Sequence, residues 1–227
     1  MGTTKQTARP TKDHNASRKA TRASRLPWIL AAVTAVLAFG ALYLTFDAGN
    51  DSAADTAQTG DVPYAVGSPG SGAAAPEFTL PSTSGETVSL SDYRGKTTLL
   101  YFHEGLGCQP CWDQIRDLEA APDDLKAAGI DELVTVTSGP VDLIAQKMQD
   151  DNLDAIALAD VDLSVSQEYE ANEYGMMGNS RNGHSFILVG PDGEIQWRAD
   201  YGGAPDYTMY VPVPKVLADL QAGRESA

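Results

Sequence analysis

From Pro76 to Ala222 short apolar, strand-like runs alternate with amphipathic ones at helical spacing. That alternation restricts the fold most, because it points to an α/β domain rather than a β-sandwich or a helix bundle. Phe78-Thr79-Leu80 and Thr87-Val88-Ser89-Leu90, separated by Ser84-Gly85, read as a small hairpin. Thr97 to Glu104 (TTLLYFHE) reads as a buried strand, and Trp112, Ile115 and Leu118 then fall at helical spacing. Glu132 to Ser138 is a second strand, Val141 to Asn152 a second helix, Ala155 to Asp160 a third strand and Leu163 to Tyr174 a third helix. Ser185 to Gly190 and Glu194 to Tyr201 flank Pro191-Asp192-Gly193, a turn-forming triplet, and so predict an antiparallel hairpin. Val213 to Ala222 closes the domain as a short helix.

The 75 residues before this domain have a different texture. Residues 1–25 carry seven Lys/Arg against one acid, Asp13, leaving nine basic and 30 acidic residues beyond. Such a head suits nucleic acid in isolation, but it directly precedes Leu26 to Phe46, an uncharged 21-residue run of bilayer-spanning length. The cluster is therefore read as a positive-inside signal, with no nucleic-acid partner. A cleaved secretory signal competes for the same segment, yet its apolar core is normally about 7–15 residues with a small-residue cleavage site behind it. The expectation is an uncleaved anchor over 26–46, with Trp28 and Tyr43 at its interfaces, the N-terminus cytoplasmic and residues 76–227 exported. Asp47 to Ala75, rich in Ala, Gly, Ser and Asp, is read as a flexible tether, and 223–227 as a short tail.

The chain keeps two cysteines, Cys108 and Cys111, where the first buried strand runs into a helix. At a helix N-terminus unpaired backbone N–H groups and the helix dipole favour an anion, so Cys108 is predicted to have a depressed pKa and to act as nucleophile. Pro110 suits the first turn, having no N–H to lose there. Cys111, inside that turn, is placed to attack a mixed disulfide on Cys108. Two other readings stay open. A structural disulfide across two residues closes too short a loop to constrain much of the unfolded chain. A zinc site needs about four ligands, so it would have to recruit His103 and His184.

PEFTLPSTSGETVSLSDYRGKTTLLYF followed by CQPC, and later SFILVGPDGEIQWRADYGG, resembles the redoxin branch of the thioredoxin-like superfamily. That branch includes membrane-tethered thiol–disulfide oxidoreductases and peroxiredoxins of the AhpC/TSA type. The resemblance implies a thioredoxin-like fold, a central mixed sheet flanked by helices, with Cys108 attacking and Cys111 resolving.

The departures are specific. Thioredoxins place a Trp before the first cysteine, where this chain has Gly107; Trp112 sits after Cys111 instead and reads as a core residue. The cis-proline that packs on the cysteines in that family has no counterpart in Asn179 to Phe186, where Gly183-His184 stands near the expected place. His184 is accordingly a third candidate site residue, as a cation beside the Cys108 thiolate or as a proton shuttle. A proline at 184 is expected to restore a thioredoxin-like loop. Peroxiredoxins carry a Thr three residues before the nucleophile, where this chain has Gly105, and an Arg for which only Arg181 is available.

These residues lead to a membrane-tethered thiol–disulfide oxidoreductase acting on protein thiols and disulfides, with no cofactor. A peroxiredoxin-type thiol peroxidase is the alternative. A copper-delivery module is the second alternative, since copper chaperones of this superfamily use two cysteines and a distal histidine, a set that suits Cu(I).

Overall fold

The structure, a computed structural model, describes residues 62–225. The basic head, the apolar run 26–46 and residues 47–61 of the expected tether lie outside the described residues.

The alternation of strands and helices builds one five-stranded mixed sheet. Its strands are β3 (Thr98–His103), β4 (Glu132–Thr137), β5 (Ile156–Ala159), β6 (Ser185–Val189) and β7 (Ile195–Asp200). They lie in the order β5-β4-β3-β6-β7, with β3, β4 and β5 parallel and β6 and β7 antiparallel to their neighbours. The predicted first hairpin forms a separate two-stranded sheet, β1 (Thr79–Pro81) with β2 (Thr87–Ser89). The second hairpin turns at Pro191-Asp192-Gly193, where Gly193 takes φ of +87° and donates to the Gly190 carbonyl at 2.9 Å.

Strand periodicity sends alternate side chains to two cores. Leu99 and Tyr101 of β3 face one side with Phe186, Leu188 and Trp197. There they meet Trp112, Ile115 and Leu118 of helix α1 (Gln109–Glu119), Ile144 and Met148 of α3 (Val141–Asp151), and Val216 and Leu220 of α5 (Val213–Glu225). Leu100, Phe102, Val134, Val136 and Ile187 face the other side, under Phe78, Leu80, Tyr93 and Tyr169. A short helix α2 (Pro122–Ala127), not anticipated in sequence, joins α1 to β4.

Two expectations are corrected. The helix expected over 163–174 is broken into α4 (Ser164–Glu168) and a 3-10 turn at Ala171–Glu173, with Glu170 at φ of +49° between them. Tyr169 and Ala171 are both fully buried in the same core, and residues two apart do not share a helix face. The tether expected over 47–75 meets ordered structure from residue 62. Ala65 exchanges two 2.9 Å hydrogen bonds with Asp200, and Gly72 donates to the Ile195 carbonyl at 2.8 Å, so this segment lines the outer edge of β7.

Candidate active site

The strand-to-helix junction places the cysteines as their spacing implied. Cys108 is the N-cap of α1, and Pro110 occupies its first turn. Gly105 turns the chain out of β3 at φ of +82°, and its carbonyl accepts the Cys108 N–H at 2.9 Å. Cys108 and Cys111 are joined as a disulfide, with Cα atoms 5.3 Å apart. The Cys108 sulfur also accepts the Cys111 backbone N–H at 3.3 Å, which is shared with the Cys108 carbonyl at 3.1 Å in the first turn of the helix. Cys108 is 5% exposed and Cys111 fully buried, so Cys108 is the sulfur a reactant meets first.

Three groups hold the cysteine loop. Trp112 is fully buried, and its indole N–H donates to the Gly105 carbonyl at 3.0 Å, tying the helix back to the loop. Glu104 accepts the Met176 N–H at 2.6 Å, and Arg181 donates to the Glu104 carbonyl at 3.2 Å, which pins the 174–181 segment over the loop. The Arg181 guanidinium lies 3.5 Å from where a side chain on Gly107 would begin. The guanidinium thus lies against Gly107, the residue before Cys108. Arg181, the one arginine the sequence offers for the peroxiredoxin role, borders the cysteine loop. The place a side chain on Gly105 would take is filled by the hydroxyl of Thr137, which donates to the His103 carbonyl at 2.9 Å.

His184 is fully buried, neither beside solvent nor charged at neutral pH: burial pushes its pKa from 6.5 down to about 3. The expectation of an imidazolium next to the Cys108 thiolate is therefore corrected. Its Nδ1 meets the Thr208 carbonyl at 2.8 Å, and the next residue, Met209, forms a buried cluster with the two cysteines. His184 reaches the disulfide through that segment. Its backbone N–H donates to the Tyr174 carbonyl at 2.7 Å, a bond that proline at 184 would remove, so the expectation of a restored thioredoxin-like loop fails. Gly183 is required beside it, because a Cβ there would lie 1.8 Å from the Tyr174 oxygen.

His103 is equally buried, stacked on Tyr101 at 5.2 Å between ring centroids and edge-on to Trp112 at 5.1 Å. Burial, with His184 nearby, pushes its pKa down to about 3. Among the described residues no group of three or more His, Cys, Asp or Glu side chains is placed to hold a metal ion.

Residues 71–198, more than half of the chain, match the model of the AhpC/TSA family. The chain belongs to the AhpC/TSA family. It is 32% identical over 125 residues to peroxiredoxin Bcp of Escherichia coli, covering 54% of this chain and 80% of that protein. A putative peroxiredoxin of Mycobacterium tuberculosis is 32% identical over 124 residues, covering 53% and 78% of the two chains. The crystal structure of the peroxidoxin BcpB from the same organism superposes with a TM-score of 0.55, covering 67% of this chain and 97% of that one. At 17% identity it speaks to the fold alone.

Family and fold together make this chain a thiol-based oxidoreductase on a thioredoxin-like scaffold. They also overturn two expectations. A membrane-tethered enzyme exchanging disulfides with protein thiols gives way to the peroxiredoxin alternative, because the curated relatives are peroxiredoxins. The single-pass, cell-membrane reading is corrected with it, because the relatives are Bcp-type peroxiredoxins. Among the described residues, which do not include 26–46, no helix is long and apolar enough to cross a membrane.

Proposed function

We propose that this chain is a peroxiredoxin-type thiol peroxidase with Cys108 as the peroxidatic and Cys111 as the resolving cysteine. The observation that carries the reading is the placement of Cys108 at the start of α1 with the Arg181 guanidinium against Gly107. Helix N–H groups and a cation both favour thiolate over thiol. In the first step the Cys108 thiolate attacks one peroxide oxygen. The S–O bond forms, the O–O bond breaks and the departing oxygen takes a proton, leaving as water or an alcohol. Cys111 then displaces the hydroxyl from the Cys108 sulfenic acid, closing the disulfide and releasing water. An external protein dithiol supplies two electrons to reopen it, so protein thiols are the second partner.

Stopped-flow mixing of the reduced chain with hydrogen peroxide tests this, with Trp112, packed on the cysteine loop, as the fluorescent reporter. Fast oxidation at micromolar peroxide supports the peroxidase. Oxidation no faster than that of a free thiol at the same pH refutes it.

A further inference from the structure

Among the buried side-chain atoms with no hydrogen-bond partner among the described residues are Tyr101 Oη, His103 Nε2, Gln114 Nε2 and His184 Nε2. All four residues are 0% exposed. The fold brings them together. Tyr101 and His103 are two apart on β3 and face one side of the sheet. Continuing the register that pairs Tyr101 with Phe186 and Phe102 with Ser185 sets His184 across from His103. Both imidazoles lie against the Tyr101 ring, at 5.2 and 5.1 Å. Gln114 stands one turn after Cys111 on α1. Its Oε1 accepts the Val211 N–H at 2.7 Å, two residues from the Met209 that clusters with the cysteines.

The hydrogen bonds these side chains do make fix what they still offer. A carbonyl only accepts, so His184 donates from Nδ1 to Thr208, and its neutral ring leaves Nε2 as a bare lone pair. His103 Nδ1 accepts the Gly105 N–H at 3.3 Å, so its proton is on Nε2. Gln114, with its oxygen engaged, offers its NH2 group, and the tyrosine hydroxyl can donate or accept. Two donors, one acceptor and one hydroxyl are complementary to a small molecule that both donates and accepts. Left unpaired, each would cost about 1–3 kcal/mol.

We propose that Tyr101, His103, Gln114 and His184 form an internal hydration site on the Cys111 side of the disulfide, and that its water carries the Cys111 proton. Buried waters typically make about three hydrogen bonds to polar groups that would otherwise be orphaned, and this site supplies them. The catalytic part of the inference rests on the peroxidase reading. In the reduced enzyme Cys111 is a buried thiol that must shed a proton to attack the Cys108 sulfenic acid. The proton passes through the water to the hydroxide that leaves Cys108 as the S–S bond forms, while the neutral His184 Nε2 accepts a hydrogen bond from that water and orients it. The hydroxide thereby departs as water, so no charge remains in the core. His184 is thus a positioning residue that acts through the water.

The hydration site is tested without peroxide, by 15N NMR of the imidazoles in the full chain. His184 should be protonated at Nδ1 and His103 at Nε2, with cross-relaxation from a long-lived water to both rings. The opposite tautomers, or rings without a water signal, overturn the site. Its catalytic role is read in two-phase stopped-flow kinetics with hydrogen peroxide. His184→Leu should leave the first oxidation of Cys108 within about twofold and slow disulfide closure on the order of a hundredfold, the scale lost when a reacting group is misplaced. Cys108 sulfenic acid should then accumulate and be trapped by dimedone. Tyr101→Phe, which keeps the ring and loses only the hydroxyl, should slow closure several-fold with the same first phase. Unchanged closure in either folded variant overturns the relay. If the wild-type chain is not oxidised by peroxide, the peroxidase reading and the relay both fall, while the NMR result still decides the hydration site.

Discussion

Acidification probes the two buried imidazoles directly. His103 and His184 are fully buried, and burial holds each pKa at about 3 instead of 6.5. The unfolded chain therefore binds protons at these rings below pH 6.5 while the folded chain does not. Unfolding takes up protons in that range, so stability is fully present above pH 6.5 and is lost as pH falls toward 3. Each histidine contributes about 1.4 kcal/mol per pH unit in the window. From pH 7 to pH 5 the loss is roughly 2 kcal/mol per ring and about 4 for the pair, against a typical stability of ~5–15 kcal/mol. Carboxylates add little above pH 5, because their unfolded values lie near ~4. The assay is urea unfolding at half-unit pH steps in a His14→Gln background, which removes the third histidine from the count. Near pH 5 the stability should change by about 2.7 kcal/mol per pH unit, equivalent to two protons. His103→Phe should cut that slope to about half. A slope under about 1.4 kcal/mol per unit in the parent means fewer than one proton is taken up, and refutes the claim that both rings are held neutral.

Arg181→Met should raise the Cys108 thiol pKa toward its unperturbed ~8.5 and slow peroxide oxidation roughly tenfold at neutral pH, read from the pH profile of iodoacetamide alkylation alongside the stopped-flow rate. Cys108→Ser should abolish peroxide consumption, whereas Cys111→Ser should retain one rapid oxidation and leave a dimedone-reactive Cys108. Gly183→Ala should destabilise the fold by at least about 1–3 kcal/mol in urea, because the added methyl meets the Tyr174 carbonyl, a backbone atom that cannot rotate away.

The sheet was legible because its signals are local. Apolar runs of strand length mark β3, β4 and β5, and the Pro191-Asp192-Gly193 turn fixes the β6–β7 hairpin. The third helix was misread for a non-local reason: Tyr169 meets Phe78 at 6.5 Å and Phe102 at 5.1 Å, and Ala171 must enter the same core. That tertiary demand breaks a pattern that looks helical in isolation. The cysteine pair was equally local, since two residues at a strand–helix junction announce themselves. Met209 and Gln114 carried no such mark. Met209 reaches the cysteines across about a hundred residues of chain, and Gln114 looked like any polar residue of an amphipathic helix until Val211 was seen to engage its oxygen. Arg181 was identified as the one available arginine, but its place against Gly107 and the Glu104 carbonyl comes from contacts that the sequence does not mark.

Residues 62–75 show most clearly what composition hides. Small residues read as an inability to build a core, yet here the bulk is supplied by what the segment lies on. Tyr64 packs on Tyr201 at 5.3 Å and on Trp197 at 6.3 Å. Beyond it Gly67 must be small, because a Cβ there would sit 2.6 Å from Arg198 Nη2 and 2.7 Å from the Tyr174 hydroxyl. Arg198 and Asp200 form an ion pair of fully buried side chains, and such a pair persists only where its remaining donors and acceptors are met. Gly67 donates its N–H to Asp200 at 2.7 Å, and the Pro69 carbonyl accepts from Arg198 at 3.1 Å. The segment thus completes the burial of the pair and covers the edge of β7 that would otherwise offer unpaired backbone. Its influence also runs toward the cysteines. Arg198 lies over the Tyr174 ring at 5.7 Å, and the Tyr174 carbonyl holds the His184 N–H, so the glycine that looked like linker supports the backbone at His184.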